Sequence, residues 1–584
     1  MEIKLRIKFK HMKAIKLFAF VLLLSFIACK QDSASDQLKT IIQEYEKPRE
    51  YDFNKTESVE NTIKYYQAES DFSAKLKEKL TAVSPTNLSE TDKISRELLL
   101  FVLQDKIDEH TYKMYLNPIT NESAFHLNLS RMANRNFKNK KQVIGYLKQL
   151  ENLPKRVAYN LNLLRAGVKE EISQPKAVFY KYENTYEKHI VEDVTKSEFY
   201  APFLKLPSSF SAALKDSIIS AAKISVQKNA IDQYKKIKTF FEEEYFPNTR
   251  KGLGVSTVPN GKEFYQNRIN FYTTSTKYNA EDIHQIGLKE VARIKAEMLQ
   301  IIKDLGFKGT FADFLKFLRT DEQFYVKTPK ELLMFARDIA KRIDAELPKY
   351  FITLPRKPYG VVPVPAAIAP NYTGGRYSGS RSETTAGFYW VNTYNLPSRT
   401  LYTIPALTAH EAVPGHHLQM SLNNELPKTI PSFRRNLYLS AFGEGWGLYS
   451  EYLVEEMDIY TTPYEKFGQL TYEMWRACRL VVDTGVHAKG WTRQQMIDYM
   501  ASNTALSMHE VTTETDRYIS WPGQALSYKM GEIKIREMRK KAETELGDAF
   551  NIREFHEVIL AEGTVTLSIL ESRINSYIAK HKNE

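Results

Sequence analysis

From Leu38 to about Ile301, apolar residues recur three and four positions apart in stretches rich in Lys, Glu, Leu, Ala and Gln. This is the period of amphipathic helices. Leu98, Leu99, Leu100, Phe101, Leu103 and Ile107 predict one helix. Val143, Leu147, Leu150 and Leu153 predict a second, which Pro154 should stop, because proline lacks the N–H and clashes with the turn before it. Ile218 to Ile237 predicts a third and Ala280 to Ile302 a fourth, with polar or proline-bearing junctions such as Ser84-Pro85-Thr86 between helices. No fixed-period repeat is evident, which argues against a solenoid. Between Leu354 and Pro405 the helical period fades. Val361 to Pro365 reads as extended, Thr373 to Gly379 as loop and Gly387 to Thr393 as strand. Helical text resumes near Leu401 and runs to the end. The pattern predicts a mainly α protein with one small β-sheet directly before residues 408–417.

The amino terminus has a different pattern. Lys4, Arg6, Lys8, Lys10, Lys13 and Lys16 precede an apolar run from Leu17 to Ile27, followed by Ala28 and Cys29. This is the layout of an export signal, and the run is shorter than the roughly 20 residues a membrane-spanning helix needs. Phe26-Ile27-Ala28-Cys29 resembles a bacterial lipobox, which implies cleavage after residue 28, lipidation of Cys29 and a membrane anchor in the cell envelope. Met12 is an alternative start. Residues 29–36 read as a polar tether, 37–255 as an N-terminal helical subdomain and 256–584 as a catalytic subdomain. The boundary is placed near Gly252 and Gly254.

Composition narrows the function classes. The chain has 584 residues, 43% hydrophobic and 26% charged, which fits a folded globular protein and excludes collagen-like or disordered classes. The formal charge is +12; the leader's six basic residues and Glu2 account for +5 of it, leaving a mild +7. With no basic run interleaved with aromatics, nucleic acid is a poor partner. Two cysteines make no disulfide framework, and Cys478 sits among apolar residues as a buried thiol. The 35 tyrosines and 31 phenylalanines suit a large aromatic core or a cleft for peptides or sugars.

The chemistry concentrates in Thr408-Ala409-His410-Glu411-Ala412-Val413-Pro414-Gly415-His416-His417. It starts like the zinc-peptidase helix motif His-Glu-x-x-His, in which two histidines four apart share one helix face. Here the spacing is six or seven. On an unbroken helix six residues turn about 600°, and seven rise about 10.5 Å, so neither second histidine reaches the ion of the first. Pro414 breaks the helix and Gly415 tolerates an unusual re-entry, so a kink would bring His416 to the place of the second ligand. A third ligand is expected from Glu444, whose charge would be costly among Phe442, Gly443 and Trp446 without a cation. Glu451, seven residues on, lies in a similar direction and suits a role behind a histidine ligand. Two histidines, a glutamate and water make an open catalytic Zn2+ site, one ion per chain, with Glu411 as the general base.

Together with Glu444-Gly445-Trp446-Gly447-Leu448-Tyr449, Asp483-Thr484-Gly485-Val486-His487 and Arg517-Tyr518-x-x-x-Pro522-Gly523-Gln524-Ala525-Leu526-x-Tyr528-x-x-Gly531, the segment resembles the bacterial family catalogued as domain of unknown function 885. That family looks like a distant, helix-rich relative of gluzincin-type zinc metallopeptidases. The resemblance implies a fold with a deep cleft, His410, His416 and Glu444 as ligands and Glu411 as catalytic glutamate. His417 stays open as the alternative ligand or as a supporting residue. Supporting roles are expected for Tyr528 and His487 at the oxyanion, for Arg517, Tyr518 and Asn392 in substrate binding, and for Asp483, Glu451 and His417 behind the ligands. The strand Gly387 to Thr393 is expected to pair with an extended substrate, and Gly374, Gly375 and Gly379 to form a mobile loop over the cleft. The expected activity is zinc-dependent hydrolysis of short peptides, as a carboxypeptidase or dipeptidase. The alternatives are another amide hydrolase, such as a cell-wall peptide amidase, or a non-catalytic metal- or peptide-binding lipoprotein.

Overall fold

The structure is a computed structural model that describes residues 33–52, 56–366, 368–369 and 372–582. The expected signal peptide and Cys29 lie outside the described residues. Among these residues no helix is long and apolar enough to cross a membrane.

The fold is mainly α. Periodic apolar positions become buried faces: Val143, Tyr146, Leu150, Leu153, Val157 and Leu161 line one side of Lys140–Lys169. That helix does not stop at Pro154 but runs through it. Burying this continuous stripe on both sides outweighs the lost hydrogen bond, which costs about 3 kcal/mol in a helix interior. The expected third helix is Ala212–Val226 and Asp232–Thr239 joined by a π-helical turn, Gln227–Ile231. The fourth runs from Ala280 to Asp304, capped by Asn279 and Asp282.

The sheet has three strands, β1 (Tyr359–Pro363), β2 (Gly375–Ser378) and β3 (Gly387–Val391), in the order β1-β3-β2. β1 pairs parallel to β3, with Val361 opposite Tyr389, and β2 antiparallel, with Tyr377 opposite Tyr389. Two expectations change. The glycine-rich 373–379 segment is not a mobile loop; it contains β2, and a side chain at Gly375 would meet the Trp390 carbonyl at 2.8 Å. β3 is the central strand, paired on both sides, so it has no free edge for a substrate.

Two large cores organise the described residues, and Ile404, Leu407, Ala409, Ala412, Val413 and Leu418 of the segment 404–424 belong to the second. One gathers Ile119 to Tyr245, Val291 to Phe324 and Phe467 to Ala525; the other gathers Leu332 to Phe351, the sheet, Leu439 to Ile459 and the carboxy-terminal helices. The first core draws on residues from both sides of position 255. Gly254 packs where a Cβ would lie 2.0 Å from the Val486 carbonyl. Cys478 is a buried free thiol, raised by burial well above the usual thiol range.

Helices Ser440–Leu453 and Leu526–Leu546 cross glycine to glycine: a Cβ at Gly531 would meet the Ala441 carbonyl at 2.0 Å and the Gly445 Cα at 2.8 Å. A buried ion network locks Leu526–Leu546 to its other neighbours. Lys529 Nζ lies 2.8 Å from Glu473, 2.7 Å from Glu532 and 3.1 Å from Glu290, while Arg293 and Arg536 complete the balance of charge. We predict that Gly531→Val lowers unfolding free energy by about 1–3 kcal/mol through overpacking. Gly145→Ala, at an exposed helical position with open space around it, raises stability by about 0.5–1 kcal/mol. Urea titration of both variants checks the pair.

Candidate metal centre

The helix Ile404–Glu411 is buried along its whole length, with Ala406 and Ala409 allowing close contact. It ends at Glu411, and a second helix starts at His416. Between them the Val413–Pro414 peptide is cis, and the Gly415 amide donates to the Ala409 carbonyl at 2.9 Å. A Cβ at Gly415 would lie 2.0 Å from the His410 carbonyl, so only glycine fits this return. Trp446 Nε1 donates to the Pro414 carbonyl at 2.8 Å and fixes the turn from the neighbouring helix.

The turn brings the two imidazoles together, their rings 4.7 Å apart and perpendicular. Glu444 Oε2 lies 3.4 Å from Nε2 of His410 and 3.4 Å from Nε2 of His416. Ligand atoms of His410, His416 and Glu444 all lie within 4.8 Å of one another, the one such group among the described residues. Ligands held 2.0–2.1 Å from a tetrahedral zinc stand about 3.3 Å apart, so both Glu444 distances suit such an ion. The donor set, two imidazoles and a carboxylate, is that of an open zinc site.

Helix Ser440–Leu453 clamps His410 at both ends. Glu444 faces Nε2, and two turns later Glu451 accepts from Nδ1 at 2.7 Å, which fixes the tautomer that leaves Nε2 for a metal. Arg476 Nη2 backs Glu451 at 3.2 Å. Gly447 makes room for the ring: a Cβ there would sit 2.7–3.0 Å from His410 ring atoms. Tyr438 donates to Glu444 Oε1 at 2.9 Å, leaving Oε2 for the histidines. Burial opposes the His410 charge, but hydrogen bonds to Glu444 and Glu451 outweigh it and raise the metal-free imidazole to about 9. Burial likewise opposes the Glu444 charge, yet His416 and His410 hold that carboxylate well below its usual range. A bound cation would take the place of this proton.

Glu411 Oε2 accepts the Tyr377 backbone N–H at 2.7 Å, from the outer edge of β2. Glu411 and the three candidate ligands line a cleft of about 1850 Å3. Arg517 and Tyr528 line the same cleft, and the Arg479 guanidinium lies 4.3 Å over the Tyr528 ring. One carboxylate, Glu514, faces two guanidiniums, Arg479 at 3.2 Å and Arg517 at 3.5 Å. Arg479 Nη1 makes no hydrogen bond among the described residues, and Arg517 Nε meets only the Glu514 carboxylate, so two guanidiniums share one carboxylate on this wall.

Other expected site residues have different places. His417 is not beside Glu444; its Nδ1 lies 3.1 Å from the Tyr377 hydroxyl, and burial lowers its imidazole to about 4. His487 is fully buried off the cleft lining, with Nδ1 accepting from the Val255 amide and Nε2 donating to the Tyr518 carbonyl; burial lowers it to about 3. Neither ring nitrogen is free for an oxyanion. Tyr518 is a buried hub that accepts from Trp475 and Arg479 and donates to Glu514, so it braces the arginine wall rather than touching substrate. Asn392 spends its amide on the carbonyls of Ala369, Tyr372 and Thr373 and its oxygen on the Tyr394 amide, holding the turn before β2. Asp483 supports no histidine ligand; it accepts from Tyr265 at 2.6 Å and from the Gly523 amide, and burial raises it to about 7. Sequence reasoning misses Tyr377, Tyr438, Arg476 and Arg479, which hold Glu411, Glu444, Glu451 and the Tyr528 ring in place. Tyr438, six residues before Glu444, had the one local signal.

The family model described as "Bacterial protein of unknown function (DUF885)" matches residues 53–574. No curated protein matches significantly. Among solved structures, a "putative lipoprotein" from Colwellia psychrerythraea is 25% identical, covers 94% of this chain and 100% of its own, and superposes with a TM-score of 0.82. A protein from Shewanella oneidensis, described in the same words and as of unknown function, is 18% identical with a TM-score of 0.66, covering 93% of this chain and 99% of its own.

Metal analysis of purified variants checks the ligand set. His416→Ala is expected to lose stoichiometric zinc and His417→Ala to keep it. Glu451→Gln should bind zinc about 10–100-fold more weakly in a chelator competition, because the His410 ring loses its orienting carboxylate.

Proposed function

The chain belongs to the DUF885 family of bacterial proteins, and from its own site residues we propose that it is a zinc-dependent metallopeptidase that hydrolyses short peptides in the cell envelope. The observation that carries the reading is the convergence of His410, His416 and Glu444 at the wall of a large cleft, with Glu411 directly beside a ligand. Glu411 ties β2 to its own helix through Oε2, and its place next to a candidate ligand suits a general base.

When bound, the zinc would polarise the scissile carbonyl and acidify a water molecule. Glu411, held through Oε2 by the Tyr377 amide, takes the proton of the attacking water and hands it to the departing amine. Tyr528, whose ring rests on Arg479, supplies a hydroxyl to the developing oxyanion. Arg517 and Arg479, two guanidiniums that share one carboxylate on the cleft wall, bind a substrate carboxylate, which favours peptides with a free carboxy terminus and carboxypeptidase- or dipeptidase-like action. The outer edge of β2, which pairs with no further strand among the described residues, rather than β3, is where an extended substrate would align beside Glu411. Export and lipid attachment at Cys29 follow from the lipobox-like sequence, supported by the lipoprotein description of the Colwellia psychrerythraea neighbour.

Peptide-library hydrolysis tests the reading. Glu411→Gln should keep zinc and lose about 10²–10⁴-fold in kcat. Arg517→Ala should raise KM for peptides with a free carboxy terminus and leave carboxy-amidated peptides unchanged. A Glu411→Gln variant as active as the wild type would contradict the mechanism.

A further inference from the structure

A second cavity, of about 410 Å3, shares Tyr272 and Trp521 with the metal cleft but contains none of its ligands. This is within the roughly 300–1,000 Å3 of small-molecule sites. Its walls are largely apolar, with Met114, Ile119, Ile172, Val258 and Phe264 among them. Three residues on the wall each hold one buried polar atom without a hydrogen-bond partner among the described residues. Arg250 donates from Nη1 to the Gly254 carbonyl at 2.9 Å, but its Nε is buried without a hydrogen bond, and no carboxylate pairs with it among the described residues. Arg268, the other guanidinium on the wall, does have one, Asp105 at 3.2 Å. Burial lowers Arg250 to about 10, so it stays charged at neutral pH.

The other two groups are acceptors, Asn117 Oδ1 and Gln174 Oε1, both buried without a partner. The Gln174 amide nitrogen donates to the carbonyls of Ile119 and Ser520, each at 2.9 Å, which identifies the remaining end as oxygen. Buried polar groups are rarely left unpaired, and an uncompensated buried cation is costlier still. A ligand that brought an anion to Arg250 and donors to the two amide oxygens would satisfy all three.

We propose that this cavity binds a small zwitterion with an apolar body, the chemistry of an apolar α-amino acid. Its carboxylate pairs with Arg250, its ammonium donates to Gln174 and Asn117, and its side chain lies among Met114, Val258 and Phe264. The site stands whether or not the metal cleft hydrolyses peptides.

Calorimetry on the full chain with L-phenylalanine and L-leucine tests it. At least one should bind. 3-Phenylpropionate, which lacks the ammonium, and phenethylamine, which lacks the carboxylate, should each bind at least about tenfold more weakly than L-phenylalanine, as expected for a lost charge-assisted hydrogen bond. Arg250→Met should weaken binding by about the same factor or more. Val258→Phe, which adds bulk to the cavity wall and leaves the Arg250 side chain in place, should abolish binding while keeping the wild-type unfolding transition. Zinc removal and Arg517→Ala should leave binding unchanged. The proposal is overturned if neither amino acid binds, if 3-phenylpropionate or phenethylamine binds as tightly, if Val258→Phe binds normally, or if binding disappears with the zinc.

Discussion

Two imidazoles six residues apart can face one ion only if the helix between them is broken and immediately resumed. The break rests on one close approach: the Gly415 amide donates to the Ala409 carbonyl, while its Cα sits where any Cβ would lie 2.0 Å from the His410 carbonyl. A side chain at 415 would push the second helix away and take His416 out of reach of Glu444. The indole of Trp446 holds the Pro414 carbonyl in the turn, so the helix that brings the third ligand also fixes the geometry of the second.

That helix, Ser440–Leu453, bears the other half of the centre. Its glycines serve two contacts: Gly447 admits the His410 ring, and Gly445 meets Gly531 of the crossing helix. Glycine in a helix interior costs roughly 0.5–1 kcal/mol relative to alanine, and here it is offset by packing that side chains would prevent. The crossing helix is in turn anchored by the Lys529 network to Glu290, Glu473 and Glu532. Site and scaffold are therefore continuous: from His410 through Glu451 to Arg476, and from Glu444 through Gly445 and Gly531 to the buried ion network.

Much of this was legible in the sequence because the residues concerned are chemically conspicuous. Histidines around Pro-Gly and a glutamate between glycines and a tryptophan have few bland uses, and the seven-residue interval to Glu451 is a helical one. His487, Asp483, Tyr518 and Asn392 were misplaced for a common physical reason. A buried polar residue that satisfies backbone groups and one that faces a substrate look the same until their partners are known, and these four spend their polar atoms on the fold. Gly374 and Gly375 give β2 the local text of a loop, although pairing with β3 decides its state. Pro154 failed to end its helix because long-range burial of Leu150, Leu153 and Val157 outweighs a local penalty. The arginine wall and the cavity at Arg250 depend on residues far apart in the chain, for which one sequence has no pairing signal.

The central claim is that the break at Pro414-Gly415 makes His410, His416 and Glu444 ligands of one ion. Anomalous diffraction at the zinc edge from zinc-loaded crystals of the protein measures this directly. The account predicts a single strong peak bonded to Nε2 of His410, Nε2 of His416 and an oxygen of Glu444 at about 2.0–2.2 Å, with at least one further position open to solvent. A peak ligated by His417, or zinc found away from the cleft while these three residues keep their metal-free arrangement, would contradict it.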